Sequence, residues 1–313
     1  MIDPHFHFLD PVANPDQHAT IVNANFGLNP YLPEDYIQDF DGLDVEKMVH
    51  MEILPDDFVE EVRWIHEMFT SGRCPLLGGI VAAADPSEPD FENVLQCCAA
   101  ESSLLKGIRW ILNWDGELQP GETPTVDRAT WPRSRKANYF ADPMFAANYP
   151  LLEKYGLSFD LQCNPPQLTT AANFLAQFPN IPVVLDHIGS LKLSGDNKRD
   201  EATMVVWRNG MQALANLQHT YVKLSMLGYT LPGWHKDEKK RRKMCDVVLE
   251  VIQLFGTERC MFASNFPVDR DLDDGLTAQV IYGHYREWVS HFSESEKRNL
   301  FQNTASRFYR LNG

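Results

Sequence analysis

The feature that most constrains this chain is a rhythm. Eight short segments of strand character, at 1–10, 47–53, 77–84, 106–112, 157–163, 181–189, 220–225 and 259–267, are spaced along 313 residues with mostly helical stretches between them. In 58–71 the residues Val59, Val62, Ile65, Met68 and Phe69 fall at helical spacing, and similar patterns occupy 90–105, 168–178, 201–217 and 242–255. Two further helices, 277–292 and 295–309, finish the chain. Eight strand–helix units in this length predict an α/β fold, a closed parallel (β/α)8 (TIM) barrel. An open doubly wound sheet shares the alternation, but no Gly-x-Gly-x-x-Gly follows the first strand. With no long linker and no shift in composition, the reading is one domain over 1–313.

Two stretches depart from the rhythm. Residues 11–33 are rich in Pro and Asn and read as an irregular loop over one end of the fold. Residues 113–148, with Trp114, Trp131, Pro120, Pro124, Pro132 and a basic pair at Arg133 and Arg135, form an extended excursion after the fourth strand. It is either a lid over a site or a decorated loop.

Lys and Arg number 28 against 43 Asp and Glu, a formal net charge of -15, so nucleic acid is not expected as a partner. The short basic run in 236–243 is interrupted by Asp237 and Glu238 and reads as solvated surface. Cys74, Cys97, Cys98, Cys163, Cys245 and Cys260 make no C-x-x-C pair, which suits buried, reduced thiols. No apolar run approaches membrane-spanning length, and no basic stretch followed by an apolar one opens the chain. The expectation is a cytoplasmic protein acting on a small molecule, without a membrane partner. A homo-oligomer is compatible with all of this.

In such a barrel, chemistry gathers on inward residues at the C-terminal strand ends. The first strand offers His5 and His7, two apart and so on one face, with Phe6 and Phe8 on the other. Later strands offer Glu52, Arg109, Gln162, His187, Lys223 with Ser225, and Asn265. Any one of these could be a solvated cap, and the first two histidines could sit on an ordinary edge strand. Three histidines converging across a barrel favour a shared site. Three imidazoles could hold a divalent ion, zinc foremost, which would lower the pKa of bound water to about 7. The Arg109 fork either holds a substrate carboxylate or lactone oxygen, or pairs with Glu52. Lys223 would add a point charge.

The strings Ile2-Asp-Pro-His-Phe-His7, Lys106-Gly-Ile-Arg-Trp110, Leu185-Asp-His-Ile-Gly189, Val222-Lys-Leu-Ser225 and Met261-Phe-Ala-Ser-Asn-Phe-Pro-Val268 together resemble the amidohydrolase superfamily (amidohydrolase family 2). Within it they look like the branch of sugar lactonases and 2-pyrone-4,6-dicarboxylate lactonase. No single string is decisive, but the ordered set runs nearly end to end. The resemblance implies hydrolysis of a small cyclic ester, with His5, His7 and His187 around the reacting carbonyl. Members of the branch differ in whether they need a metal, so both a zinc-dependent and a metal-independent site follow from it.

One departure matters. The family's last strand usually carries an aspartate as general base where this chain has Asn265, and an amide cannot take a proton at neutral pH. The role then falls to His187, Glu52 or Asp269. Three readings follow: a lactone hydrolase, a non-oxidative decarboxylase of a small unsaturated or aromatic acid, and a barrel that binds a small acid without turnover.

Overall fold

The computed structural model describes residues 1–24, 27–114, 133–136 and 138–311. Its strands are β1 (Ile2–Phe6), β2 (Lys47–Met51), β3 (Leu77–Ala83), β4 (Leu105–Ile111), β5 (Ser158–Gln162), β6 (Val183–Leu185), β7 (Thr220–Leu224) and β8 (Cys260–Phe262). Each pairs in parallel with the next in chain order. The ring closes where the chain beyond β8 meets β1. There Phe6 bridges Phe266, the His7 amide donates to the Phe266 carbonyl at 2.8 Å, and the Asn265 amide donates to that of His5 at 2.8 Å. This is the expected (β/α)8 barrel.

Asp3 fastens that seam. A register shift between Asp3 and Phe6 turns Asp3 outward while His5 points in. The Asp3 carboxylate accepts from the Ser264 hydroxyl at 2.6 Å, the Ser264 amide at 3.0 Å and the Tyr36 hydroxyl at 3.0 Å. Outside the ring, Phe6 and Phe8 pack edge to face, with Tyr36 and Tyr31 against them. The alternation read from the first residues is therefore literal: histidines inside, phenylalanines under the helices.

The lower interior is apolar. Ile2, Val49, Met51, Val81, Val184 and Met261 pack against Phe308, Tyr309 and Leu311, so the C-terminal segment plugs one end of the barrel. Helices Asn197–Ala215 and Glu238–Phe255 each begin four residues before the expected starts at 201 and 242. Their first turns, Asn-Lys-Arg-Asp and Glu-Lys-Lys-Arg, carry no apolar residue to reveal a period. Asp196 and Asp237 cap the free amides there and were the readable signal. The expected helix at 295–309 is interrupted by a wide turn at Asn299–Asn303.

Most of the excursion after β4, 115–132, lies outside the described residues, and so does the choice between lid and loop. Within the described part, Arg133 donates to Thr20 at 3.1 Å and Asp56 at 3.2 Å, tying this segment to the loops after β1 and β2. Among the described residues, no helix is long and apolar enough to cross a membrane.

Removing the Asp3 carboxylate leaves the Tyr36 hydroxyl and the Ser264 amide without their acceptor, and the Ser264 hydroxyl only its 3.3 Å contact with the His5 carbonyl, at about 1–3 kcal/mol for each unsatisfied group before relaxation. Asp3→Ala is expected to lower the unfolding free energy by about 2–4 kcal/mol in urea titration. A loss under about 0.5 kcal/mol would mean the seam does not depend on it.

Candidate active site

The site is built in tiers. Deepest is Lys223, fully buried, whose ammonium donates to Asp160 Oδ1 and lies 3.0 Å from Asp186 Oδ1 and 3.1 Å from His5 Nδ1. The Tyr309 hydroxyl, from the C-terminal plug, also donates to Asp160 Oδ1 at 2.6 Å. Lys223 therefore sits below the mouth, among acids. It does not reach up as a free point charge for substrate.

Arg109 forms the next tier. Its Nε donates to Glu52 Oε1 at 2.6 Å, Nη2 donates to the Glu52 carbonyl, and Nη1 donates to Gln162 Oε1 at 3.1 Å. Nη1 also lies 3.5 Å from His5 Nε2 and 3.6 Å from Asp186 Oδ2. Of the two roles open to Arg109, the structure forms the ion pair with Glu52, and the fork is engaged from within the protein. Glu52 uses its other oxygen on the Leu54 amide at 2.8 Å.

Burial works to raise the pKa of Asp186, but Lys223, with His5 and His187, holds it well below the ordinary carboxylate range. Burial also drives His5 far below the usual imidazole value, with Lys223 adding to the effect, and pushes His187 down to about 3. Both rings are neutral at working pH. Their centroids are 4.5 Å apart, and His7 stands 5.0 Å from His5.

His187 follows β6 on strained backbone. His187, Ile188, Gly189 and Ser190 all have positive φ, at 56°, 47°, 73° and 51°. Such φ is a true outlier for a β-branched residue like Ile188 and persists only where surroundings enforce it. Trp207 Nε1 supplies one restraint by donating to the Ile188 carbonyl at 2.8 Å. The turn presents His187 with Nδ1 3.0 Å from Ser225 Oγ, while Nε2 has no partner among the described residues. With the Ser225 hydroxyl donating to Nδ1, the proton sits on Nε2 and becomes a neutral donor.

A second chain of contacts crosses the mouth. His7 places Nδ1 2.8 Å from the Met51 carbonyl and Nε2 3.2 Å from Asn265 Oδ1, and Asn265 Nδ2 is 2.9 Å from Asp269 Oδ2. Asn265 itself is left-handed, at φ 57°, a conformation Asn tolerates better than most residues. Burial raises the Asp269 carboxyl to about 7, against the opposing hydrogen bond from Asn265. Burial keeps His7 neutral, with one N–H for two facing oxygens. Turning the Asn265 amide by 180° resolves the conflict when Asp269 is protonated. Asp269 then donates to the amide oxygen, the amide nitrogen donates to His7 Nε2, and His7 Nδ1–H donates to Met51. Protonation of Asp269 and amide orientation are thus coupled.

Among the described residues, the one group able to gather three ligand atoms for an ion is His5, Asp186 and His187, all within 4.8 Å of one another. The expected set had His7 in place of Asp186, but both His7 nitrogens already have partners. Neither set fits a divalent cation as it stands. Both His5 nitrogens face cationic donors, Lys223 and Arg109, and Asp186 Oδ1 faces Lys223. Zinc bonded to such atoms at about 2.0–2.2 Å would crowd the ammonium and meet its repulsion undiluted by water.

Beside the His187 turn, a cavity of about 360 Å³ opens between Trp114, Asn164, Pro165, Ser190, Lys192 and Val206. It is room enough for a small, partly apolar molecule.

The model of the amidohydrolase family, described as Amidohydrolase, matches residues 2–311. The chain belongs to that family. A curated relative, the uncharacterised protein y4mH of Sinorhizobium fredii, is 29% identical over 99% of this chain and 98% of its own length. An amidohydrolase from Burkholderia multivorans shares the fold at a TM-score of 0.78, with 22% identity and 99% of each chain covered, in a crystal with bound HEPES. Another crystal form of it contains zinc. A probable 2-pyrone-4,6-dicarboxylic acid hydrolase from Acinetobacter baumannii, with citric acid bound, aligns at a TM-score of 0.70 and 14% identity over 99% and 98% of the two chains. At these identities the likeness is one of fold.

All ten residues singled out from the sequence are therefore linked through contacts at one end of the barrel. Asp186, Asp160 and Tyr309 were missed. Asp160 shares strand parity with Gln162, and Asp186 adjoins His187, so each was readable as an inward acid. Tyr309 lies 149 positions from its partner and carried no local signal.

The raised carboxyl of Asp269 has a signed consequence. Between its unfolded value near 4 and about 7 the folded protein binds the extra proton, so this group's stabilising contribution, full at low pH, is lost as pH rises through that window. Relative to wild type, Asp269→Asn should gain stability from pH 5 to pH 8 in paired urea titrations. A pH-independent difference would contradict the buried neutral acid.

Proposed function

We propose that this chain is a hydrolase of small cyclic esters, with Asp269 as the general acid–base group. The observation that supports it most is a buried carboxyl near pH 7 at the mouth of a family barrel, linked through Asn265 to the His5–His7–His187 cluster. A base works best when its pKa lies near the operating pH. His187, at about 3, is too weak a base, and Glu52 is tied to Arg109.

In this reading the lactone lies between the cavity beside Trp114 and the His187 edge. The His187 Nε2–H donates to the carbonyl oxygen, and its share of the hydrogen bond grows as negative charge develops there. Below, Lys223 and Arg109, paired with Asp160, Asp186 and Glu52, hold the His5 ring in place. Ionised Asp269 takes a proton from water as oxygen attacks the carbonyl carbon. The ring C–O bond then breaks, and Asp269 returns the proton to the leaving alkoxide. Water has been added across the ester, and the hydroxy acid departs. No step uses a metal.

Asn265 has two parts here. Its amide passes the protonation state of Asp269 to His7, and its neutrality lets Asp269 ionise beside it. Asn265→Asp would put a second carboxylate against the first, and like charges at such range push one pKa up sharply.

The test is a panel of aldonolactones and carboxylated pyrone lactones, followed by acid release. Turnover should rise with pH through about 7, and Asp269→Asn should lose about 10²–10⁴-fold in kcat together with that pH limb, while folding normally. Asn265→Asp should fall by about tenfold or more. No turnover across the panel, or carbon dioxide release without ring opening, would overturn the reading, and a faster Asn265→Asp would overturn the role given to the amide.

A further inference from the structure

We infer that the Lys223 ammonium is a built-in replacement for a metal ion, and that removing it turns His5, Asp186 and His187 into a zinc site. The inference concerns which cation the site holds and stands whether or not the lactonase reading does.

The geometry is that of a ligated cation. Nζ of Lys223 meets Asp160 Oδ1, Asp186 Oδ1 at 3.0 Å and His5 Nδ1 at 3.1 Å, a set of two carboxylates and an imidazole, in a fully buried position. Two of those three residues also belong to the group whose ligand atoms lie within 4.8 Å, His5, Asp186 and His187. Lone pairs that would bind a divalent ion are spent on an ammonium anchored covalently to β7. The anchoring matters energetically. A tethered ion needs no capture from solvent, and its place is fixed by the strand that carries it. Neither oxygen of Asp186 has a hydrogen bond of good geometry, although Lys223, Arg109 and His5 surround it. That carboxylate is held by charge and retains coordinating capacity. His187 Nε2, without a partner among the described residues, would complete the set.

Shortening the charge out of the site should therefore expose a binding centre. In Lys223→Met the stem keeps roughly the same volume and loses the ammonium, leaving Asp160 and Asp186 without their counter-ion. A divalent cation would restore the lost charge and find one carboxylate and two neutral imidazoles, a donor set that suits zinc or cobalt(II).

The experiment is equilibrium dialysis of purified protein against zinc, with metal per chain measured by mass spectrometry and cobalt(II) absorption as a second probe. Wild type should retain under about 0.1 zinc per chain, Lys223→Met about one with visible cobalt bands, and Lys223→Met/His187→Ala again under about 0.1. One tightly held zinc in wild type would overturn the inference, as would a folded Lys223→Met that binds none. If Lys223→Met does not fold, Lys223→Gln takes its place in the gain measurement, and wild-type occupancy decides the other half alone. Because no substrate enters, failure here is distinct from failure of the lactone panel.

Discussion

A charge buried without water must be matched where it stands, and in this barrel the charge is Lys223. Its ammonium is fully buried on the inner face of β7, and leaving it unpaired would cost several kcal/mol. The rest of the interior answers that demand. Asp160 and Asp186 flank it from β5 and from the end of β6, Tyr309 reaches up from the C-terminal plug to share Asp160, and His5 presents a ring nitrogen from β1. Strands far apart in sequence are thereby held to one electrostatic centre. The apolar tier of Val49, Val81, Val184 and Met261 beneath keeps water from screening it.

From this centre the upper site inherits its properties. Burial, with the positive charge of Lys223 below adding to it, keeps His5 and His187 neutral, so they act as directional donors and acceptors, not as ions. Against its own burial, Asp186 stays ionised because Lys223, His5 and His187 stand beside it. Asp269 has no cation among its partners, and burial raises its carboxyl against the hydrogen bonds from Asn265 and the Gly228 amide. Asp186 and Asp269 are thus shifted in opposite directions, Asp186 down by Lys223, His5 and His187 against its burial and Asp269 up by burial, the separation that acid–base chemistry needs. The left-handed run from His187 to Ser190 and the left-handed Asn265 show where the backbone has been bent to seat these groups.

Much of this architecture was legible in the residues. Strand periodicity and eightfold alternation specify a barrel with little dependence on detail, because a parallel sheet buried on both faces requires apolar strands and a helix between each pair. His5 and His7 could be placed on one shared face by parity alone. What resisted reading were contacts that no local rule encodes. Whether Arg109 would face substrate or Glu52 depended on where Gln162 and the Glu52 carbonyl fell in space. That Asp186 and not His7 gathers with His5 and His187 depended on where the end of β6 falls in space, while the His7 nitrogens face Met51 and Asn265. Asp3 illustrates the same limit: an acid in an apolar strand reads as anomalous until Ser264, at the far end of the chain, is set beside it.

The account rests on a lysine standing beside the histidines that the sequence offered as ligands of a metal. Anomalous diffraction at the zinc edge, from crystals of the wild-type protein grown with excess zinc, tests it directly. The account predicts no anomalous peak between His5, Asp186 and His187, with the Lys223 ammonium in contact with Asp186 and His5. A strong peak there, with the lysine side chain displaced, would contradict it.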